Sequence, residues 1–127
     1  MRRQRSAVLK ERRHMMGEIN WRDSWPSALE EAQRVKSRIL LELYLDGCPH
    51  CMRLHKETHT DDKVADTVNS KYIPVRLESR SNMDVVKQYN VTGAPTTLVL
   101  AADGKELHRF TGYRSPLEYL EELEKAV

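Results

Sequence analysis

Hydrophobic residues recur along this chain with two periods, and segments of each kind alternate. Apolar residues at three- and four-residue steps predict an amphipathic helix over 25–37, which Ser24 caps. A nearly continuous apolar run at 39–45 predicts a central strand buried on both faces, interrupted only by Glu42. An alternating pattern at 72–78 predicts a second strand.

The rest of the chain adds a hairpin and a last helix. Pro74 cannot donate to a strand ladder, so its strand should lie at or near a sheet edge. Strand patterns at 96–101 and 106–110 flank an Asp-Gly turn signal, and a capping box at Ser115 opens a helix. Weaker patterns predict a short strand at 19–21 and short helices at 49–59, 61–68 and 83–89. Together they predict an α/β fold with a mixed sheet of four to five strands and helices on both faces.

Charge divides the 127-residue chain into a tail and one domain. The first 14 residues carry six basic groups and one acid, whereas the remainder carries 15 basic and 18 acidic groups. We therefore expect a basic, disordered tail at 1–16 and a domain at 17–127. No nucleic-acid partner is expected, because that would need a basic face on the domain itself. No apolar run approaches the ~20 residues that span a bilayer, and we expect a monomer.

The same tail bears on location. It lacks the apolar stretch of a secretory signal, which favours a cytoplasmic protein. A periplasmic location follows instead if the chain's start is misassigned; Met15 and Met16 stand just before the domain-like sequence.

Both cysteines lie in one motif, Cys48-Pro49-His50-Cys51, between a buried strand and a predicted helix. A strand–C-x-x-C–helix arrangement in a βαβ unit is typical of redox motifs. Unpaired N–H groups and the positive dipole end at a helix N-terminus favour a thiolate at Cys48. Protonated His50 would add positive charge beside it, and Cys51, one turn on, could resolve a mixed disulfide at Cys48.

Two other interpretations stay open at this point. A metal-binding module could use Cys48, Cys51 and a histidine, and His55 and His59 lie four residues apart on one predicted helix face. Scattered surface histidines are the commoner explanation of that spacing. A redox-inert adaptor is the third possibility, which the presence of both cysteines disfavours.

Longer motifs resemble a known family over roughly residues 19–127. The strand and motif ILLELYLDGCPHC, the segment Gly93-Ala94-Pro95-Thr96, the hairpin followed by Gly112, and the THTDDKV segment at 58–64 carry the likeness. The chain resembles the thioredoxin superfamily, in particular the thioredoxin-like C-terminal domain of DsbD-type reductases. The resemblance implies a thiol–disulfide oxidoreductase without a cofactor, which acts on protein disulfides or dithiols together with a redox partner protein.

The resemblance also implies roles for residues outside the motif. Pro95 should be cis and face the cysteines, and the backbone of Ala94 should pair with substrate. Glu42 matches a buried acid that moves the proton of Cys51. Burial should raise the pKa of Glu42, although pairing with Arg76 would oppose that rise.

The chain departs from the family pattern at two places near the motif. Gly47 replaces the aromatic residue that usually precedes the first cysteine, which removes a packing surface for substrate. Pro49-His50 is the dipeptide of DsbA-type oxidases, whereas the framework resembles a reductase. We therefore expect a reduction potential between those of thioredoxin and DsbA, roughly −270 and −120 mV.

Overall fold

The structure is a computed structural model that describes residues 17–126, so the tail predicted at 1–16 lies outside the described residues. The elements, in chain order, are helix α1 (Trp25–Val35), strand β1 (Arg38–Tyr44), helix α2 (Pro49–Arg53), a π-helical turn (Leu54–Thr58), α3 (Asp62–Lys71), β2 (Tyr72–Glu78), a 3₁₀ turn (Ser79–Ser81), α4 (Met83–Gln88), β3 (Thr96–Leu100), β4 (Glu106–Thr111) and α5 (Pro116–Glu124).

The four strands form one mixed sheet in the order β2-β1-β3-β4. Strand β1 runs parallel to β2 and antiparallel to β3, and its sequence is apolar because a packed layer covers each face of the sheet. Strand β2 lies at an edge, so the position predicted from Pro74 is confirmed. The strand predicted at 19–21 is wrong: the chain there makes one isolated bridge, from Arg22 to Val75, because only Arg22 reaches the β2 backbone. The predicted fold class is confirmed.

The sheet has an apolar layer on each face, and strand alternation assigns each β1 residue to one of them. On one face Ile39, Leu41 and Leu43 pack beneath α1 and α4. On the other face Leu40 packs beneath the π-helical turn, α3 and α5. Glu42 shares the strand parity of Leu40, so its carboxylate enters the second layer. This register puts a charge inside an apolar core.

Helix α5 closes the second layer and is well capped. The Ser115 hydroxyl accepts a hydrogen bond from the Glu118 amide at 3.2 Å, and the Glu118 carboxylate accepts one from the Ser115 amide at 2.9 Å. The capping box predicted from the sequence is therefore confirmed. The next residue, Tyr119, is fully buried and packs edge-on against Phe110 and His59.

Candidate active site

Cys48 is the residue at which the chain passes from the loop after β1 into α2. Its extended backbone makes it the N-cap, and its sulfur accepts a hydrogen bond from the Cys51 amide at 3.2 Å. A donor aimed at sulfur stabilises negative charge on it. Gly47 enters this turn with a φ of +80°, a conformation that residues with a Cβ rarely adopt. Gly47 stands where the family pattern has an aromatic residue, and its backbone conformation is one that favours glycine.

The two cysteines are both free thiols but differ in access to solvent. Cys48 is partly exposed, whereas Cys51 is 1% exposed. Burial, then the hydrogen bond with Cys48, and then the charges of Cys48 and Glu42 raise the pKa of Cys51 to about 12. An outside disulfide therefore meets Cys48 first, and Cys51 needs help to lose its proton.

The Gly93–Thr96 loop lies against the first cysteine. The Ala94–Pro95 peptide bond is cis, and the Cys48 sulfur lies 3.7 Å from the Ala94 carbonyl oxygen. The Gly112 amide donates to the Pro95 carbonyl at 2.8 Å and fixes the loop to the end of β4. Ala94 and Pro95, expected beside the motif, are therefore neighbours of Cys48.

The two residues between the cysteines begin helix α2 at the surface. Pro49 is the first helical residue, where its missing N–H removes no helical hydrogen bond. His50 follows it and is exposed. Neither side chain is packed into the core, and both are exposed beside Cys48 in the chain.

Glu42 is 0% exposed and lies between two basic side chains. Its Oε2 accepts a hydrogen bond from Arg76 Nε at 2.8 Å, and its Oε1 lies 2.9 Å from His59 Nε2. Arg76 is the cross-strand partner of Glu42 in the β1–β2 register. The pairing with Arg76 that the resemblance implied is thus present, and His59 is a second partner that sequence reasoning missed.

Burial and ion pairing act in opposite directions on the pKa of Glu42, and the sequence left open which of them prevails. Burial raises this pKa, but the charge and hydrogen bond of His59, followed by those of Arg76, outweigh burial and leave it below its usual value. The sequence offered one partner for this carboxylate, whereas the structure gives it two. Glu42 is consequently ionised at neutral pH, and it pairs with Arg76 and His59 in an otherwise apolar layer.

His59 was expected at the surface and is 2% exposed, because the π-helical turn directs it inward. The His59 amide donates to the Leu54 carbonyl, five residues back, at 3.0 Å. The imidazole packs against Trp21 and Tyr119, with ring centroids 4.9 and 6.0 Å away. The only sequence signal was the four-residue spacing of His55 and His59, and it indicated contact between them but not burial.

A cleft of about 320 Å³ opens at the surface beside the buried cysteine. Cys51, Gly47, His55 and Arg76 are among the residues that line it. A larger cavity, of about 390 Å³, lies between α3 and α5 and has no cysteine in its lining. The smaller cleft is the one that connects solvent with the buried thiol.

The metal-binding alternative finds no three-ligand geometry in the described part of the chain. Among residues 17–126 no group of three His, Cys, Asp or Glu side chains is placed to share a metal ion. His55 pairs with His59, and His59 also contacts Glu42, rather than either of them pairing with the two cysteines. Over the same residues, no helix combines the length and apolar character that a bilayer crossing requires.

Comparison with known proteins supports the assignment of the fold. DsbD of Yersinia pestis, named a thiol:disulfide interchange protein, is 30% identical over 98 residues, which are 73% of this chain and 16% of that protein. DsbH oxidoreductase superposes with a TM-score of 0.78 at 19% identity, over 88% of this chain and 86% of the other. A putative disulphide-isomerase from Bacteroides thetaiotaomicron gives 0.74 at 25% identity, over 86% and 93%.

The match to DsbD covers a small part of that protein, so it concerns one domain. The family comparison covers more of this chain: residues 25–127 match the thioredoxin-like domain family. That match includes the Cys48–Cys51 motif, Pro95 and the complete sheet. The chain therefore belongs to the thioredoxin-like family.

Proposed function

We propose that this protein is a thiol–disulfide oxidoreductase that exchanges disulfides with protein substrates through Cys48 and Cys51. One observation carries the proposal: a partly exposed cysteine caps a helix and accepts the amide of a second, buried cysteine one turn later. The similarity to DsbD, a thiol:disulfide interchange protein, and to the putative disulphide-isomerase from Bacteroides thetaiotaomicron supports the same chemistry.

The reaction proceeds by two exchanges at sulfur. The Cys48 thiolate attacks one sulfur of a substrate disulfide, that bond breaks, and the other substrate sulfur leaves as a thiolate. Cys51 then loses its proton and attacks the Cys48 sulfur, which releases the second substrate thiolate. The protein ends with a Cys48–Cys51 disulfide, and the substrate has gained two electrons. In reverse, the same steps oxidise a dithiol.

Residues around the cysteines take the supporting roles. Glu42 receives the proton of Cys51, since it is the buried carboxylate whose charge acts on that thiol. The Ala94 backbone and Pro95 hold the substrate chain beside Cys48, which lies 3.7 Å from the Ala94 carbonyl. Gly47, Pro49 and His50 form the remaining surface that substrate meets, and protonated His50 adds positive charge near the reacting sulfur.

Trapping of the mixed disulfide tests this function. In a Cys51→Ala variant the second exchange cannot occur. The protein should therefore accumulate as a mixed disulfide with a test protein that contains disulfides, such as insulin. The Cys48→Ala variant is the matched control and should form no adduct. Failure of Cys51→Ala to trap any disulfide substrate would contradict the proposal, and one tightly held zinc per chain would favour the metal-binding alternative.

The natural substrates and the redox partner are part of the same proposal. A protein disulfide is the substrate class, because Cys48 is open to a macromolecule whereas Cys51 is not. Identifying the proteins trapped by Cys51→Ala in the native host would name them. The monomeric state and the cytoplasmic location stay predictions, which size-exclusion chromatography and cell fractionation test.

A further inference from the structure

The turn between β4 and α5 supports the loop that contains Pro95. Gly112, the first residue after β4, donates its amide to the Pro95 carbonyl at 2.8 Å. Gly112 has a φ of +94°, a backbone conformation that favours glycine. The position of the Pro95 carbonyl therefore depends on how firmly the turn at Gly112 is itself fixed.

One arginine side chain bonds to the backbone on both sides of Gly112. Arg114 Nη1 donates to the Thr111 carbonyl and to the Tyr113 carbonyl, each at 3.1 Å. Within residues 17–126 no other side chain bonds to either carbonyl. The Thr111 carbonyl and the Gly112 amide belong to one planar peptide group, so an arginine that holds the carbonyl also sets the direction of the amide.

Glu122 on α5 fixes the guanidinium of Arg114 in turn. Arg114 Nε donates to Glu122 Oε2 at 3.1 Å, and Glu122 is buried. His108 Nε2 and Lys125 Nζ lie 3.2 and 3.0 Å from the other carboxylate oxygen. Burial raises the pKa of Glu122, but hydrogen bonds from these three basic neighbours outweigh burial and hold the pKa below its usual value. The anchor is thus an anion at neutral pH.

The same segment is tied to the helix that begins at the cysteines. Thr58 ends the π-helical turn that continues α2, and its buried hydroxyl donates to the Arg114 carbonyl at 2.6 Å. The main chain of Arg114 is therefore fixed to the element that contains Cys51, and its side chain supports the turn beside Pro95. The two parts of the proposed substrate site, Cys48 and the Pro95 loop, share this one support.

We infer that Arg114 is a positioning residue that sets how tightly a substrate chain is bound beside Cys48. Held by Glu122, it directs the Gly112 amide to the Pro95 carbonyl and keeps the loop in place. The inference rests on the proposed function, in which that loop holds the substrate chain. Arg114 acts through the loop and takes no part in the exchange at sulfur. Its loss should weaken binding of a protein substrate without slowing the chemical steps.

A protein disulfide and a small disulfide separate these two effects. Insulin reduction, with dithiothreitol to regenerate the dithiol, gives KM and kcat for a substrate whose chain occupies the loop. Dithiobis(nitrobenzoate), mixed with the reduced protein alone, reports the attack of Cys48 on a disulfide that has no chain to bind there. Failure of the unsubstituted protein to reduce insulin would reject the proposed function, whereas the role of Arg114 is judged from variants of a protein that does reduce it.

Arg114→Gln removes the guanidinium and keeps a polar side chain. KM for insulin should rise about tenfold, which is less than a displacement of about 1 Å at a reacting group can cost. The value of kcat and the rate with the small disulfide should not change.

Arg22→Gln is the matched control for this change. Arg22 also donates through Nε to a carboxylate, that of Glu31, and through Nη1 to a backbone carbonyl. The side chains of Arg22 and Arg114 are each 28% exposed. Arg22 lies beside β2, at the opposite edge of the sheet from β4, so this variant should keep the KM and kcat of the unsubstituted protein.

Glu122→Gln tests the anchor and keeps the arginine. Its KM should rise in the same direction as that of Arg114→Gln, with kcat again unchanged, and the melting temperature of each variant shows whether it is folded. The double variant should have no higher KM than Arg114→Gln alone, because both residues act through one contact.

Three results would overturn the role of Arg114 while leaving the function intact. The first is an unchanged KM in folded Arg114→Gln, or in Glu122→Gln if the arginine variant does not fold. The second is a fall in kcat and in the rate with the small disulfide that matches the rise in KM. The third is an equal rise in KM for Arg22→Gln.

Discussion

Glu42 and His59 approach to 2.9 Å although they belong to a central strand and to the end of a π-helical turn. Each is almost without solvent contact, and Arg76 holds the other oxygen of the carboxylate. Unpaired, a buried carboxylate of this kind would be protonated; flanked by two bases it stays ionised. Glu42, His59 and Arg76 therefore form a cluster that supports the fold as well as the chemistry. The charge state of this cluster determines how the stability of the fold changes in acid.

Acid should weaken the fold through Glu42. Its pKa is lower in the folded protein than in the unfolded chain, so its contribution is complete above the usual value of 4.5 and is lost as pH falls through the folded value. Glu42→Gln should lower the free energy of unfolding by about 3 kcal/mol near neutral pH, as broken buried pairs do. Urea titrations measure this.

The pH dependence identifies the cause of that loss. Below pH 4.5 the difference between Glu42→Gln and the unsubstituted protein should shrink as the pH falls, because the carboxyl of the unfolded chain is then protonated and ionising Glu42 on folding costs free energy. Glu57→Gln, at an exposed pair with Arg53, is the control and should cost no more than about 1 kcal/mol at any pH. An equal loss for Glu42→Gln in acid and at neutral pH would assign the effect to packing rather than charge.

The two thiols should react at very different rates with an alkylating agent. Iodoacetamide added to the reduced protein near pH 8 should modify Cys48 quickly and Cys51 slowly, because thiolates are the reactive form and the pKa of Cys51 is raised to about 12. Mass spectrometry of peptides at timed intervals measures both. Modification of the two cysteines at equal rates in the folded protein would contradict the difference in burial.

Helix α5 should depend on its cap more than helix α1 does. Ser115→Ala removes a hydroxyl that accepts the Glu118 amide, so it should cost about 1 kcal/mol in the free energy of unfolding. Ser24 is also an N-cap followed by proline, but its side chain makes no capping hydrogen bond. Ser24→Ala is thus a matched control with a smaller expected loss, and a reversed order would show that the caps do not act as the geometry indicates.

The reduction potential should lie between the thioredoxin and DsbA values, roughly −270 and −120 mV. His50 is exposed, so a positive charge on it when it is protonated is worth about 0.2–1 kcal/mol beside Cys48, as for other exposed pairs. His50→Ala should therefore lower the potential by no more than about 20 mV, since 30 mV corresponds to 1.4 kcal/mol. Equilibration against glutathione measures both values, and a potential below that of thioredoxin would contradict the prediction.

Local sequence signals were enough for much of the fold. The apolar run of β1, the proline of β2 and the capping box at Ser115 each fix an element by its own residues, and all three were confirmed. The C-x-x-C position was equally local, because it depends on a strand followed at once by a helix. The strand predicted at 19–21 failed, since three residues of suitable type do not ensure a paired neighbour.

Contacts between distant segments could not be predicted in the same way. The burial of His59 depends on a π-helical turn, which adds one residue to the turn and has no clear sequence signature. The direction of the pKa shift of Glu42 depends on its contact with buried His59, so it could not be decided from the sequence for the same reason. A site whose parts come from β1, β2 and the π-helical turn becomes visible only when these segments are packed together.

The bridge at Arg22 has a consequence for how the chain behaves in concentrated solution. The Arg22 amide donates to the Pro74 carbonyl at 2.8 Å, and the Arg76 amide donates to the Arg22 carbonyl at 2.9 Å. Two backbone groups on the outer side of β2 are thus occupied by the protein's own chain. A form shortened past Arg22 would present them to a neighbouring molecule, and such open strand edges promote aggregation.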